Sequence, residues 1–285
     1  MNRRTFIKRS FGSLITLIGL SGGTYFYARD IEPSLLKVTE EPIHFPNIPT
    51  AFHNFKIIQF SDTHIGFHYE LDQFKELAMK INQLQPDLIL FSGDLVDKPN
   101  QYYWDQEIVE ILQSMKAEYG KYWIYGNHDH GGYGTEIVKD IMEAGDFILL
   151  QNESVPISKD GSYFTLAGID DVMLGKPDLK TALENQQEND FTILLSHEPD
   201  FADITKNYPV QVQLSGHSHG GQVRFPFIGD LYTPPYAEKY VQGKYEIHQN
   251  FSLYVNSGIG TTRLPYRFLC KPELHMYKLK SEELS

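Results

Sequence analysis

Residues 55–64 read Phe-Lys-Ile-Ile-Gln-Phe-Ser-Asp-Thr-His, a short apolar run that breaks directly into a polar group. A buried strand that delivers polar side chains at its carboxyl end has this form. Behind it Leu71, Phe74, Leu77, Ala78 and Ile81 recur at spacings of three and four, the stripe of an amphipathic helix, and Pro86 closes the segment. Leu88 to Phe91 is the next apolar run, and it ends in Ser92, Gly93 and Asp94. The grammar then repeats. A helix over roughly residues 105–119, with Ile108, Ile111, Leu112 and Met115 on one side, leads to a strand at 122–125 and then to Gly126, Asn127, His128 and Asp129. A helix near 136–144 precedes strands around 147–150 and 164–169, and a further helix is expected at 178–187. The runs 191–195 and 210–214 end in Ser196-His197-Glu198 and Ser215-Gly216-His217, and the last strands are expected at 253–255 and 275–279. This pattern predicts a layered α/β fold with polar loops gathered at strand ends, where ligands bind in open sheets. The β-rich spacing after residue 148 predicts a second sheet packed on the first.

The chain of 285 residues is 41% apolar and 22% charged, the profile of an ordinary globular protein. We expect a single catalytic domain over 55–285. It follows an extended lead-in at 29–54, where Pro33, Pro42, Pro46 and Pro49 interrupt any helical period. A formal net charge of −12 argues against a general surface grip on nucleic acid or anionic lipid. Phosphate chemistry must therefore be local, with bound cations reversing the field of an acidic pocket. Cys270, the one cysteine, excludes an internal disulfide and reads as an inert buried thiol. At the start, MNRRTFIKR carries four positive charges and no negative one, and the weakly apolar run from Phe11 to Ala28 follows. Residues 1–28 thus read as an export signal or membrane anchor. A first helix of the domain is the lesser reading, because Gly12, Gly19, Gly22 and Gly23 interrupt the run and it has no charged face.

Five polar groups need a common explanation: Asp62-Thr63-His64, Gly93-Asp94-Leu95-Val96-Asp97, Gly126-Asn127-His128-Asp129, His197-Glu198-Pro199 and Gly216-His217-Ser218-His219. Asp62 and His64 lie two apart, so in extended backbone they project to the same side and can hold one ion. A helix-capping Asp beside an unrelated His would explain that pair alone. His217 and His219 repeat the spacing, and a flexible polar loop would account equally well for Gly216, Gly220 and Gly221 around them. The joint occurrence after successive apolar runs is what points to a metal centre. Carboxylate, amide and imidazole together suit Mn, Fe or Zn better than an all-oxygen cage for Ca or Mg. The lack of further cysteines removes sulfur-ligated zinc and iron–sulfur sites. Ser61, Ser92, Ser196 and Ser215 each precede a motif residue, but no G-x-S-x-G elbow occurs and Cys270 has no companion, which disfavours a covalent route.

Taken in order, SDTH, GDLVD, GNHD, SHEP and GHSH resemble the motif series of the calcineurin-like metallophosphoesterases over roughly residues 55–280. The resemblance implies a four-layer α/β fold, a central β-sandwich flanked by helices. It implies two divalent transition-metal ions, Mn ahead of Fe or Zn. Asp62, His64 and His219 would bind the first, Asn127, His197 and His217 the second, and Asp94 would bridge both. It also implies that His128 sits beside the substrate phosphate as a non-ligand histidine, with Asp129 orienting its ring, and that Asp97 is structural in preference to ligating. The reaction implied is hydrolysis of a phosphoester by a hydroxide bridging the metals, with diesters favoured over monoesters.

Gly220-Gly221-Gln222-Val223-Arg224 and the stretch from Gly258 to Arg267 are similar to exported or membrane-linked bacterial members of that family. That similarity implies a broader subgroup whose members resemble phosphodiesterases acting on nucleotide-linked lipid sugars or related pyrophosphates. Arg3 and Arg4 before Thr5-Phe6-Ile7-Lys8 resemble a twin-arginine signal, although Asn2 departs from it. Both resemblances imply passage through the twin-arginine machinery, a location outside the cytoplasmic membrane, and association with cell wall or membrane. The expected partner is a phosphoester, lipid-linked or wall-linked, and not nucleic acid. Arg263 and Arg267 are candidate grips for a second phosphate or carboxylate, with a salt-bridged surface pair as the equal alternative. Tyr232, Pro234, Pro235 and Tyr236 read as a packed loop ahead of an apolar wall beside the metals. The competing functional class is an envelope-binding protein that keeps a metal site for wall phosphates without turnover; an intact His128 and a complete ligand series speak against it.

Overall fold

The computed structural model describes residues 21–131, 134–187 and 189–282. Residues 1–20, with the basic stretch and the start of the apolar run, lie outside the described residues. Residues 21–26 are helical and continue as a π-helical turn at Tyr27–Ile31. No helix among the described residues is long and apolar enough to cross a membrane.

The expected lead-in contains an edge strand, β1 (Lys37–His44), which pairs in parallel with the last strand of the chain. The motif-bearing run that follows forms β2 (Lys56–Phe60), and the amphipathic stripe forms α1 (Leu71–Leu84) with Phe74, Leu77, Ala78 and Ile81 buried. Phe74, Leu77 and Ile81 each stabilise the helix–sheet contact by roughly 1.5–3 kcal/mol. β3 (Leu88–Phe91), α2 (Gln106–Ser114) and β4 (Lys121–Trp123) come next. α2 is shorter than its pattern predicts. The Asn82 side chain of α1 donates to Ser114 O at 2.8 Å and accepts from Lys116 N at 2.9 Å, which draws the chain off the helical path. A one-turn α3 (Asn127–His130), α4 (Thr135–Ala144) and the two-residue β5 (Ile148–Leu149) complete the first half.

The second half begins with the hairpin β6 (Glu153–Lys159) and β7 (Ser162–Gly168). The helix expected at 178–187 is only α5 (Leu179–Ala182), because the Gln186 side chain reaches Thr192 and Pro209 O instead of continuing the turn. β8 (Thr192–Leu195), α6 (Ala202–Thr205) and β9 (Val212–Ser215) follow, then a small hairpin of β10 (Arg224–Phe225) and β11 (Gly229–Asp230). The chain ends with β12 (Gly243–His248), β13 (Phe251–Val255) and β14 (Glu273–Lys280).

Two six-stranded mixed sheets result, in the orders β1-β14-β2-β3-β4-β5 and β12-β13-β9-β8-β7-β6. In each, four consecutive strands run parallel: β2 to β5 in the first, and β13, β9, β8 and β7 in the second. The period of two along a strand separates the layers. Ile57, Leu88 and Leu90 face Phe164, Ile193, Leu195, Val212 and Leu214 between the sheets. Ile58, Phe60, Ile89 and Phe91 turn outward onto α1, α2 and α4, and Leu194, Leu253 and Val255 turn onto α5 and α6. This is the expected sandwich with helices on its outer faces. The parallel strands of both sheets end on the same side, and there the polar loops meet.

Candidate metal centre

Each motif loop leaves its strand in a conformation that a plain continuation would not allow. Asp62, His64, Asp94, His217 and His219 all have positive φ, between 44° and 67°. Non-glycine residues adopt such angles only where the surroundings over-determine them, and they cluster at functional sites. The constraint is a set of backbone bonds between loops: Asp62 N donates to Gly93 O at 2.9 Å, His64 N to Asp94 O at 3.2 Å and Gly216 N to His197 O at 3.0 Å. Gly93 has φ of 98°, and a Cβ there would lie 2.6 Å from Gly126 N and 2.8 Å from His197 Nδ1. No side chain fits between the second, third and fourth motif loops, so glycine is required at this close approach.

Among the described residues the side chains converge in three clusters, two of them made wholly of expected ligands. Asp62, His64 and His219 form one, with His219 Nε2 3.4 Å from Asp62 Oδ1 and 3.0 Å from His64 Nε2. Asp94, His197 and His217 form the other, with His197 Nε2 3.3 Å from Asp94 Oδ2. Asp94 Oδ2 is also 3.5 Å from His64 Nε2, so this carboxylate stands between the groups. Asn127 lines the same cleft as His64, Asp94, His217 and His219.

Ring orientation follows from what each imidazole does on its far side. His197 Nδ1 lies 2.6 Å from Ser92 O and His217 Nε2 lies 2.9 Å from Pro235 O. A carbonyl only accepts, so these nitrogens carry the proton, and the second nitrogen of each ring presents a lone pair inward. His197 Nε2 and Asn127 Oδ1 are buried and have no hydrogen-bond partner in the protein. Orphaned buried acceptors are rare. Burial first, with His197 beside it, drives His217 down to about 3, and burial with His64 beside it holds His219 well below the imidazole range. Burial opposes ionisation of Asp94, but His197, His128 and His64 outweigh it and hold this carboxyl well below its usual range. Burial, with the Asp94 charge alongside, pushes Asp62 up. Burial opposes protonation of His197, but Asp94 and Asp62 outweigh it and raise this ring well above the imidazole range, a proton that a bound cation would displace. Imidazoles, an amide oxygen and two buried carboxylates make a donor set that fits divalent transition cations.

His128 lies beside the first group, its ring centroid 4.5 Å from that of His64, and with His64 and Asp97 it makes a third cluster of donor atoms. It is partly exposed in the cleft, its backbone N donates to Asp94 Oδ1 at 2.8 Å, and its Nδ1 lies 2.7 Å from Asp97 O. The partner expected for it, Asp129, is elsewhere. The Asp129 carboxylate is fully buried and accepts from Asp94 N at 2.8 Å, Leu95 N at 3.0 Å and Gly126 N at 2.9 Å. Asp129 thus clamps the second and third motif loops together, and the backbone carbonyl of Asp97 sets the His128 tautomer. The Asp97 side chain lies 3.3 Å from His64 Nδ1 and 3.6 Å from His128 Nδ1. A carbonyl has no sequence signature, which is why this contact could not be read from the motif.

The two arginines separate. Arg267 is fully buried, and its guanidinium donates to the carbonyls of Ser257, Gly258, Gly260 and Cys270 at 2.6–3.2 Å. It cannot grip a substrate. It locks the loop at 256–260, whose Ile259 N and Gly260 N donate to Ser61 O and Asp62 O behind the first group. Arg263 does line the cleft, exposed, with its guanidinium 4.8 Å from the Tyr232 ring centroid. Arg267→Met is expected to lower stability by about 3–5 kcal/mol, the loss of several charged hydrogen bonds offset in part by the relieved desolvation of the charge. Arg263→Ala should stay within about 0.5 kcal/mol of the parent. Urea denaturation of the two variants measures both. Tyr232 and Pro234 also line the cleft, so this loop forms part of its wall; Pro235 contributes its carbonyl to His217. Cys270 is buried, as expected of an inert thiol, with its Sγ 3.3 Å from His219 O.

Comparison with known proteins follows the same residues. Residues 55–221 match the family model described as calcineurin-like phosphoesterase. The chain is 46% identical to an uncharacterized metallophosphoesterase of Bacillus subtilis (strain 168), over 99% of this chain and 98% of that protein. It is 26% identical to a phosphodiesterase of Escherichia coli (strain K12), over 98% of this chain and 99% of the relative. It is 25% identical to a UDP-2,3-diacylglucosamine pyrophosphatase of Chlamydia muridarum, over 92% and 94% of the two chains.

Proposed function

This chain belongs to the calcineurin-like phosphoesterase family and is a metal-dependent phosphoester hydrolase, and we propose that it cleaves phosphodiester or pyrophosphate linkages in preference to monoesters. The observation that carries the reading is the pair of donor groups linked by the approach of Asp94 to His64, with Asn127 Oδ1 and His197 Nε2 buried and without a hydrogen-bond partner. In this assignment Asp62, His64 and His219 hold one cation, Asn127, His197 and His217 the other, and Asp94 both. Two divalent cations there would supply an activated water and neutralise the phosphoryl oxygens. Mn is our first choice, ahead of Fe or Zn, on the mixed oxygen and nitrogen donors.

The chain's own residues supply the rest. The Asp97 carbonyl holds the proton of His128 on Nδ1, which turns Nε2 into the cleft. Burial opposes protonation of this ring, but Asp94 and Asp97 outweigh it and raise its pKa, as suits an acid that protonates a leaving oxygen. Arg263, stacked on Tyr232, is placed to take the second phosphate of a pyrophosphate. The phosphodiesterase of Escherichia coli and the pyrophosphatase of Chlamydia muridarum, both similar to this chain, support the same preference. Arg3, Arg4 and the apolar run that follows support export by the twin-arginine route and action at the cell envelope.

The test is hydrolysis of bis(4-nitrophenyl) phosphate and 4-nitrophenyl phosphate by metal-stripped protein with Mn added back. Mn-dependent turnover with the diester ahead is the expected result, and Arg263→Ala should raise KM roughly tenfold for a nucleotide-sugar pyrophosphate, the worth of one charged hydrogen bond, while leaving KM for bis(4-nitrophenyl) phosphate unchanged. Two ions bound tightly without turnover of either ester would sink the catalytic reading and leave an envelope-binding role.

A further inference from the structure

The cleft of about 490 Å³ over the metal centre has two unlike sides. Its floor is the donor set. Its outer wall includes Met173, Val223, Leu231, Tyr232, Leu264 and Tyr266. The apolar surface does not stop at the rim. The β10–β11 hairpin lifts Phe227 and Ile228 into solvent, the first fully exposed and the second 73% exposed, and Leu231, Leu264 and Leu269 are each more than half exposed beside them. Phe227 has φ of 68°, a hairpin-tip conformation that ordinarily selects glycine or asparagine. An aromatic ring there packs on nothing and gains nothing from the fold. Contiguous exposed apolar surface of this kind marks an interaction site.

The chain itself indicates what covers it. The apolar run Phe11 to Ala28 ends in described residues that lie against this same rim. Tyr25 packs on Tyr266 with centroids 5.6 Å apart, Tyr27 on Phe268 at 6.5 Å, and Ala28 O accepts from Arg267 N at 2.8 Å. Phe268 in turn packs on Phe225 of the hairpin at 5.9 Å. Tyr25 and Phe26 are themselves half exposed. The end of an apolar segment and the tip of the hairpin are therefore neighbours of one loop, on one face, and that face opens onto the metal centre. With a net charge of −12 the chain has no general attraction for anionic lipid, so contact would depend on apolar insertion.

We propose that this face rests on a lipid bilayer, with Phe227 and Ile228 inserted among the acyl chains, and that the enzyme takes membrane amphiphiles there. The phosphoester head group reaches the metal centre, and the hydrocarbon part runs along the Leu231–Leu264 wall into the bilayer. The substrate half rests on the phosphoesterase reading above; the lipid contact does not.

Cys270 is 2% exposed and is the sole cysteine, so one introduced thiol can be labelled selectively. Full-length Phe227→Cys carrying an environment-sensitive fluorophore is mixed with phosphatidylcholine vesicles and compared with Ser158→Cys. Ser158 is exposed on β6 near the turn into β7, at the opposite end of the sheet from the strand ends that carry His197 and His217. The expected result is a blue shift and protection from iodide quenching at 227 alone, unchanged by added salt. Equal emission at the two sites on bound vesicles overturns the proposal and leaves any membrane attachment to the N-terminal segment. A concentration-dependent shift without vesicles also overturns it, in favour of a second copy of the chain.

The activity arm uses Phe227→Asn/Ile228→Ser, which relieves the hairpin-tip backbone and touches neither the donor set nor the cleft wall. Turnover of a fluorescent phosphatidyl diester in phosphatidylcholine vesicles should fall at least on the order of tenfold, from the lost insertion of two apolar side chains. Turnover of soluble bis(4-nitrophenyl) phosphate should be unchanged. Equal loss on both substrates refutes the interfacial role. If the parent hydrolyses neither, the phosphoesterase reading fails and takes the substrate half with it, while the fluorophore result still decides the lipid contact.

Discussion

Asp94→Asn is expected to reduce kcat by on the order of 10³-fold or more and to lower the bound metal from two ions to one or fewer. The size follows from what the side chain does. Removing a single preorganised electrostatic contact from an active site costs about 10²–10³ in rate, and Asp94 supplies contacts to both donor groups. Its Oδ2 stands 3.5 Å from His64 Nε2 and 3.3 Å from His197 Nε2, while Oδ1 accepts from His128 N at 2.8 Å. An amide of the same shape keeps one acceptor oxygen but gives up the charge that offsets two cations. Metal analysis together with kcat separates this from a folding defect, and thermal unfolding gives a third reading. Cations that bind only the native state stabilise the parent by about 2.7 kcal/mol at a hundred times Kd, so chelation should lower its Tm. The same chelation should move the Asp94→Asn variant much less. A variant that keeps two tightly bound ions and near-parental turnover would show that the cations do not share this carboxylate.

Much of this architecture could be read from local pattern. Apolar runs such as Ile57 to Phe60 and Leu88 to Phe91 carry their period of two and their polar endings within a few residues, and so β2 and β3 emerge close to where they are expected. The donor residues are legible for the same reason, since each lies in a short loop directly after such a run. What could not be read depends on partners far along the chain. α2 stops at Ser114 because of Asn82, on another helix. Gln59, inside β2, donates to Ser215 O across 156 residues and ties the two sheets together beneath the centre. A bidentate-looking Arg267 in a glycine-rich stretch reads as a phosphate grip, yet the carbonyls it satisfies belong to its own loop. The GNHD motif names Asp129 as the obvious companion of His128, but in a one-turn helix the carboxylate reaches back to the backbone N–H groups at 94, 95 and 126. In each case the residue type is informative and its partner is fixed by the tertiary approach of loops.

His128→Ala should lower kcat by about 10²–10⁴ on alkyl phosphodiesters, the usual worth of a positioned general acid, while leaving two metal ions bound. The loss should shrink toward unity for 4-nitrophenyl esters, whose leaving oxygen needs no proton. This dependence on the leaving group is what distinguishes an acid from a residue that merely shapes the site. His128 is suited to the first role because its Nδ1 is held at 2.7 Å from Asp97 O, with the Asp97 carboxylate 3.6 Å from the same nitrogen to favour the imidazolium, and the ring lines the cleft. Nearby Asp94 and Asp97 outweigh burial and raise the pKa above the ordinary imidazole value. An acid must enter the cycle protonated, so kcat for a poor leaving group should fall as pH rises through that raised pKa. The alkaline limb should vanish in His128→Ala and persist in Asp129→Asn, to the extent that the latter folds. A uniform loss across leaving groups, with the alkaline limb intact, would reassign His128 to holding the loop beside Asp94. Its backbone N, and not its ring, would then be the group that matters.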